Sequence, residues 1–318
     1  MTNDPTPPIA ETPSPPVAAP APTVSLPPTP GRRPEGESVL TVDLDPRRMP
    51  FLSDHRIDHR AVLPFAMMLE WGAEAALHRH PGLQIRSLEN WRVLKGVVLP
   101  SAGISTIEFI VSPPIADEDR VRVEVSVVGR DERQTLHARG FVTLAPSSTP
   151  PPLAADPPPL GPDPRTSVEA YTEHLFHGPT LRTIERIIGS SEAGIAALCT
   201  PAPDPRTWLP APRRRRWVLD PLLIDAAFQL QILWAIRQVG SPCLPCFVES
   251  LEIYEGPPLG DSSLVRVTIV ERGEHGARTS IEIHDRDGDP RFRLRGAECV
   301  IDPSLERAFR ATRAGSSS

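Results

Sequence analysis

The sequence predicts an α+β protein built of two similar lobes, each an antiparallel sheet wrapped round one long apolar helix. Three observations predict it. Residues 64–78 and 221–238 each read as a long apolar helix begun at a proline, Pro64 and Pro221. Each helix is accompanied by runs rich in Val, Ile, Thr and aromatics, separated by turn residues, as antiparallel strands are. A tract at 145–165 carrying nine prolines divides the two sets, as a linker between folding units does. A sheet with one buried face and a helix apolar all round satisfy each other.

Residues 1–38 hold 12 of the 41 prolines and few large apolar side chains. Such a segment cannot bury enough surface to offset its ordering entropy, so a disordered tail is expected. The first lobe spans 39–144. It opens on SVLTVDLD, which alternates like a strand. A polar loop with His55 and His59 follows, then the helix from about Pro64 to His78. The strand candidates after it are IRSLENWRVLKGVVL, ISTIEFIVS, RVRVEVSVVG and QTLHARGFVTLA. Past the linker at 145–165, the second lobe covers 166–303. It holds a short helix at Ser167–Leu175, a turn at FHGPTL, strands LRTIERIIGS and GIAALCT, the helix 221–238, and four closing strands from FVESLEIYEG to FRLRGAECVID. Residues 304–318 read as a frayed, disordered end.

Composition narrows the function classes. A formal charge of −6 over 318 residues gives no basic footprint, so no nucleic-acid partner is expected. No apolar run is read as a membrane span of ~18 residues or more. The N-terminus lacks the basic-then-apolar layout of a signal peptide, and the reading is a cytoplasmic protein. Met1 and the proline-rich tail fit a discrete protein. The four cysteines, Cys199, Cys243, Cys246 and Cys299, are expected as free thiols. Cys243 and Cys246 form a C-x-x-C with no second pair, and His55 and His59 lack the Glu that zincins place after the first His, so no metal is expected.

Two places could carry chemistry. His55 and His59 stand just before the helix start at Pro64, where a missing N–H costs nothing and helix-terminal N–H groups can face an anionic or carbonyl ligand. A histidine there could act as a base, although such residues are more often turn or capping residues. In WVLDPLLIDAAFQLQILWAI, Asp225 and Gln229 sit four apart on one face of an otherwise apolar helix. A buried Asp must be hydrogen-bonded, paired or catalytic; a structural Asp bonded to Gln229 stays open on the helix alone.

HRIDHRAVLP has the spacing of the His-x3-Gly-x4-Pro motif of polyketide synthase and fatty acid synthase dehydratase domains, with His55 first, His59 where Gly is usual, and Pro64 last. DAAFQ matches their Asp-x3-Gln/His motif through Asp225 and Gln229. FHGPTL is similar to their (Y/F)GPxF segment, and LHARG to their strand motif ending in Gly, here Gly140. The wording round these motifs is most similar to dehydratase-type domains of polyunsaturated fatty acid synthases and related bacterial polyketide systems. Over about 39–303, the chain is identified as resembling this family.

The resemblance implies a double hotdog, in which the His of the first half and the Asp of the second meet across a tunnel. It implies removal of water from 3-hydroxyacyl thioesters carried on acyl carrier protein, giving trans-2-enoyl products, with no cofactor beyond the phosphopantetheine on the substrate. His55 would abstract the α-proton. Asp225, kept protonated by burial and oriented by Gln229, would serve the departing hydroxyl. Pro64, Phe65, Gly178 and Pro179 would bind substrate, with backbone N–H groups of Gly178 and of the helix after Pro64 facing the enolate oxygen. Phe65 stands where polyketide dehydratases usually have Gly, and Asp220 where His is frequent. Arg213, Arg214, Arg215 and Arg216 form a basic run that could steer an acidic carrier protein, the alternative being a solvated loop. Other synthase subunits are expected partners, and a homodimer is left open. The competing readings are a silent module binding carrier protein, a dehydratase-like isomerase or cyclase, and a thioesterase-like hydrolase using Glu70.

Overall fold

The computed structural model describes residues 33–315 apart from 102, 118 and 153–157. The expected disordered tail therefore lies almost wholly outside the described residues; its last positions already belong to strand β1 (Glu37–Leu44). The first lobe continues with helix α1 (Pro50–Asp54), the short strands β2 (Arg56–Ile57) and β3 (Arg60–Ala61), helix α2 (Phe65–Arg79), and strands β4 (Gln84–Val93), β5 (Ser105–Val111), β6 (Ile115–Asp117), β7 (Arg120–Gly129) and β8 (Leu136–Ala145). The second lobe holds α3 (Ser167–Glu169), which runs on as π-helical turns over Ala170–His174, a 3-10 turn at Pro179–Leu181, and strands β9 (Ile184–Ser191) and β10 (Gly194–Cys199). It ends with α4 (Pro205–Trp208), α5 (Pro221–Val239), strands β11 (Cys243–Ile253), β12 (Ser263–Arg272), β13 (Gly276–His284) and β14 (Pro290–Ile301), and α6 (Ser304–Gly315).

The two sheets join into one. Strands run β1-β5-β7-β8-β4-β11-β14-β13-β12-β10-β9, with β6 beside β7. The seam is the antiparallel pair β4–β11, where Trp91 faces Val248 and Leu88 faces Leu251. α2 packs on the first-lobe strands, α5 on the second-lobe strands, and the two helices touch. Both were read as apolar all round, and both are buried accordingly: α2 throughout Phe65–Ala76, α5 throughout Pro221–Ala235. By length and composition α5 would suffice to cross a bilayer, contrary to the sequence expectation; here it is a core helix.

Trp91 locks helix to sheet. Its ring lies where a Cβ on either Gly72 of α2 or Gly140 of β8 would stand, and its Nε1 donates to the Phe141 carbonyl at 3.0 Å. This accounts for the Gly that ends LHARG.

Two expectations change. The described ends of the proline tract are not a free linker: the Glu255 N–H donates to the Thr149 carbonyl and the Ser190 N–H to the Gly161 carbonyl, both at 2.9 Å. The end of the chain is not frayed. Ser304–Gly315 forms α6, because Leu305, Phe309 and Thr312 recur on one face and Phe309 is buried.

Candidate active site

His55 ends α1 and begins a hairpin. β2 and β3 pair Arg56 with Ala61 and Ile57 with Arg60 around a two-residue turn of Asp58 and His59. Both turn residues are left-handed, with φ of 52° and 62°, as a tight hairpin of this length requires. This is why the motif usually places Gly at the position of His59. The hairpin returns Val62 to His55: the Val62 N–H donates to the His55 carbonyl at 2.9 Å, and His55 Nδ1 lies 2.7 Å from the Val62 carbonyl. A carbonyl only accepts, so Nδ1 carries the proton and Nε2 keeps its lone pair. Burial lowers the His55 pKa to about 4, against a smaller upward pull from the Val62 carbonyl. His55 is neutral near pH 7.

Asp225 lies in the second turn of α5. Burial raises its pKa to about 7, and the Gln229 amide pulls it partly back. Gln229 Nε2 donates to Asp225 Oδ2 at 2.8 Å and to the Leu181 carbonyl at 2.9 Å. Its Oε1 accepts from Tyr171 Oη at 2.8 Å, and that oxygen accepts the Thr183 and Ile184 N–H groups, each at 2.9 Å. Every polar atom of the Gln229 amide is thus assigned, and the carboxyl is held in one orientation.

A third group, missed in the sequence, completes the site. His177 Nε2 is 3.5 Å from Asp225 Oδ2, and its ring centroid is 5.4 Å from that of His55. Burial, with the His55 imidazole beside it, holds the His177 pKa well below its ordinary value. One ligand-capable atom from each of His55, His177 and Asp225 lies within 4.8 Å of the others. Two imidazoles and a carboxylate are also a donor set a divalent cation could use. The signal was present: the position before the Gly of (Y/F)GPxF is aromatic in the family, and here it is histidine.

The segment after His177 staples the lobes. The Gly178 N–H donates to the Asp54 carbonyl at 2.7 Å, and the Thr180 N–H and hydroxyl both donate to Asp54 Oδ2 at 2.7 Å. A Cβ on Gly178 would come within 2.5 Å of Asp54 Oδ1. The expected role of Gly178 is therefore corrected: its N–H is taken by Asp54, and the residue serves close approach. Pro179 has no N–H and starts the turn that carries the Leu181 carbonyl. Pro64 is the N-cap of α2; the Met67 and Met68 N–H groups donate to its carbonyl at 3.1 and 3.3 Å, and the first two amides, of Phe65 and Ala66, lie ahead of that ladder. Phe65, its first residue, stacks on Phe228 of α5 at 5.7 Å and 12°.

Arg213 to Arg216 are all exposed and line a cleft of about 440 Å³ with Trp217 and Val218. Arg213 and Arg214 lie near Glu74 of α2, whose carboxyl burial raises and these two cations lower. Glu70 is occupied: it accepts the Val218 N–H at 2.8 Å and the Leu219 N–H at 2.7 Å, and burial raises its pKa to about 8. It pins the approach to α5, which removes the carboxylate a hydrolase reading would need. Asp220 caps α5, accepting the Leu223 N–H at 3.0 Å.

With this geometry in hand, the comparisons with known proteins agree. Residues 29–128 match the polyketide synthase dehydratase domain, and residues 144–303 the polyketide synthase dehydratase N-terminal domain. The chain is 26% identical over 243 residues to one subunit of the polyunsaturated fatty acid synthase of Thraustochytrium sp., covering 75% of this chain and 9% of that protein. It is 23% identical over 199 residues to the highly reducing polyketide synthase azaB of Aspergillus niger, covering 57% of this chain and 8% of that protein. The chain thus spans less than a tenth of the curated relatives it matches. Among solved structures, a trans-AT polyketide synthase dehydratase domain from Brevibacillus brevis superposes with a TM-score of 0.67 at 19% identity, covering 84% of this chain and 96% of that one. The dehydratase domain from the CurF module of curacin polyketide synthase gives 0.63 at 18% identity, covering 82% and 92%. These likenesses give the fold as a double hotdog. The chain belongs to the polyketide synthase dehydratase family.

Proposed function

We propose that the protein is a dehydratase that removes water from 3-hydroxyacyl thioesters carried on acyl carrier protein, with His55 as base and Asp225 as acid. One observation carries the reading: a neutral imidazole from one lobe and a carboxyl with a pKa near 7 from the other bring a ring nitrogen and a carboxyl oxygen within 4.8 Å of each other. His55 Nε2 takes the α-proton, made acidic by the thioester. Asp225 gives its proton to the β-hydroxyl, which departs as water and leaves a trans-2-enoyl thioester. The step turns two neutral groups into an imidazolium and a carboxylate, so the charges form as a pair in a buried site. Gln229 keeps Asp225 Oδ2 engaged and leaves Oδ1 for the hydroxyl. The Phe65 and Ala66 amides at the start of α2 are the donors for the enolate oxygen.

Further support comes from two forms of the CurK dehydratase described as inactive mutants, one with a histidine replaced by phenylalanine and one with an aspartate replaced by asparagine. The phosphopantetheine belongs to the substrate, so no protein-bound cofactor is needed.

The carrier protein is acidic, and the exposed Arg213–Arg216 run is the surface to which it docks. Incubation with 3-hydroxyacyl carrier proteins of several chain lengths, read by mass, should show loss of one water. Unchanged mass with retained binding would sink the dehydratase reading. Changing all four arginines to Glu should raise KM for the carrier-bound substrate about tenfold or more, and leave a small thioester surrogate unaffected. An equal change for both substrates would remove the docking role.

A further inference from the structure

Two motif positions depart from the family pattern: His59, in the turn of the hairpin that follows His55, and His177 before Gly178, whose ring lies beside that of His55. One element reaches both neighbourhoods. α6 begins just past the family-matched segment, which ends at residue 303, and folds back against β2 and the turns of Ala170–His174. Phe309 of α6 is 1% exposed, and its ring centroid lies 4.5 Å from that of Phe176. Phe176 stacks on His177 at 4.0 Å and meets His55 edge-on at 5.0 Å. One helical turn after Phe309, the Thr312 hydroxyl accepts the His59 N–H at 3.4 Å. Arg313 donates to the His174 carbonyl at 3.1 Å, which fixes the end of α6 to the second lobe.

The hairpin needs such support. It is two residues per strand and lies outside the large sheet; its base is tied to residues 97–99, the Leu63 N–H donating to the Val97 carbonyl at 3.0 Å and the Leu99 N–H to the Ala61 carbonyl at 2.8 Å, while its tip turns on two residues whose Cβ disfavours the left-handed region. A hairpin this short adds little stability of its own, so its tip relies on what packs against it. Glycine at position 59 would adopt the same backbone without strain.

We propose that α6 is a positioning element of the dehydratase site: Phe309 seats the Phe176 ring against which His55 and His177 rest, and Thr312 holds His59 in the conformation that glycine would adopt unaided. This inference rests on the dehydratase reading for its kinetic test. α6 touches no reacting atom; it acts through the aromatic layer and the hairpin.

The test uses the full chain with T312V, F309A, H59G, and the double variants T312V/H59G and F309A/H59G. Dehydration of a 3-hydroxyacyl carrier protein should show kcat down about tenfold in F309A and about threefold in T312V, with KM within about twofold, since small displacements of a reacting group cost rate rather than affinity. H59G should bring T312V back to within about twofold of H59G alone, because the strained residue is gone, and should leave F309A low. The imidazole NMR signals of His55 and His177 should move in F309A and T312V. Wild-type kcat in both single variants overturns the proposal. So does a loss in T312V that H59G fails to relieve while both histidine signals stay in place. If F309A does not fold, T312V, close to isosteric, carries the test alone. If the wild-type chain dehydrates no 3-hydroxyacyl carrier, the dehydratase reading fails by itself, and the histidine signals still decide whether α6 seats the two imidazoles.

Discussion

The first lobe presents its reactive group from a hairpin and the second from inside a helix. His55 has its ring fixed by a single carbonyl, that of Val62, on a short two-stranded excursion. Asp225 has its backbone fixed by α5 itself and its carboxyl fixed by the Gln229–Tyr171 chain of hydrogen bonds. The same sheet-and-helix lobe therefore offers two ways to hold a reactive group. The helix-borne carboxyl is preorganised by secondary structure, whereas the hairpin-borne imidazole depends on what packs against it. Burial pushes the two groups in opposite directions because their charged forms have opposite sign.

The sharpest break in this comparison is to remove each group in turn. H55F and D225N should each lower kcat by about 10²–10⁴, the range of general acid or base catalysis, measured as water loss from the carrier-bound substrate. A variant retaining wild-type rate would end that residue's role. In the wild type, kcat/KM should be level between about pH 4 and about pH 7 and fall on either side, since His55 must be unprotonated and Asp225 protonated. Stability should separate the two as well. The Asp225 pKa lies above its ordinary 3.8, so its contribution is present at low pH and lost as pH rises through about 7. The His55 pKa lies below its ordinary 6.5, so its contribution is present above that value and lost as pH falls through about 4. The wild-type-minus-D225N difference in unfolding free energy should change by on the order of 3 kcal/mol from pH 4 to 7, and the wild-type-minus-H55F difference should change with the opposite sign.

A smaller effect follows at the point where the lobes are stapled. G178A should cost about tenfold or more in kcat and about 1–3 kcal/mol in stability, because the added methyl meets the Asp54 carboxylate and the turn must move. Parallel denaturation and rate measurements check it, and unchanged values for both would show that the contact is slack.

The least severe change sits behind the carboxyl. Y171F should cost about 1–3 kcal/mol, because two buried N–H groups lose their acceptor and Gln229 Oε1 loses its donor. Urea titration reads the loss. Its kcat should fall less than that of D225N, and a larger fall would mean that Tyr171 does more than hold the amide.

Much of this was legible in the chain. Both core helices follow from their all-round apolar composition, and the loop-to-helix path from His55 to Pro64 follows from motif spacing, although the β2–β3 hairpin inside that loop was read only as a polar segment. What escaped depends on contacts between residues far apart in sequence. Nothing near Asp54 announces that it will take the Thr180 and Gly178 N–H groups more than a hundred residues later. Tyr171 gives no local sign that its hydroxyl will serve Gln229. His177 was readable as a departure from an aromatic position, and α6 from the spacing of Leu305, Phe309 and Thr312, but each was overshadowed by a stronger local cue: the Gly-Pro turn and the nearness of the chain end.

The ladder between β4 and β11 has a consequence for how the molecule can be taken apart. A protease nick in the proline-rich tract would cut the covalent link without separating the halves, since backbone hydrogen bonds along that seam still clasp them together. Made as separate polypeptides, each half would bare a strand of ten or eleven residues with an unpaired row of amides and carbonyls, the kind of edge that drives proteins out of solution. Gene fragments of this protein should therefore be co-expressed rather than purified singly.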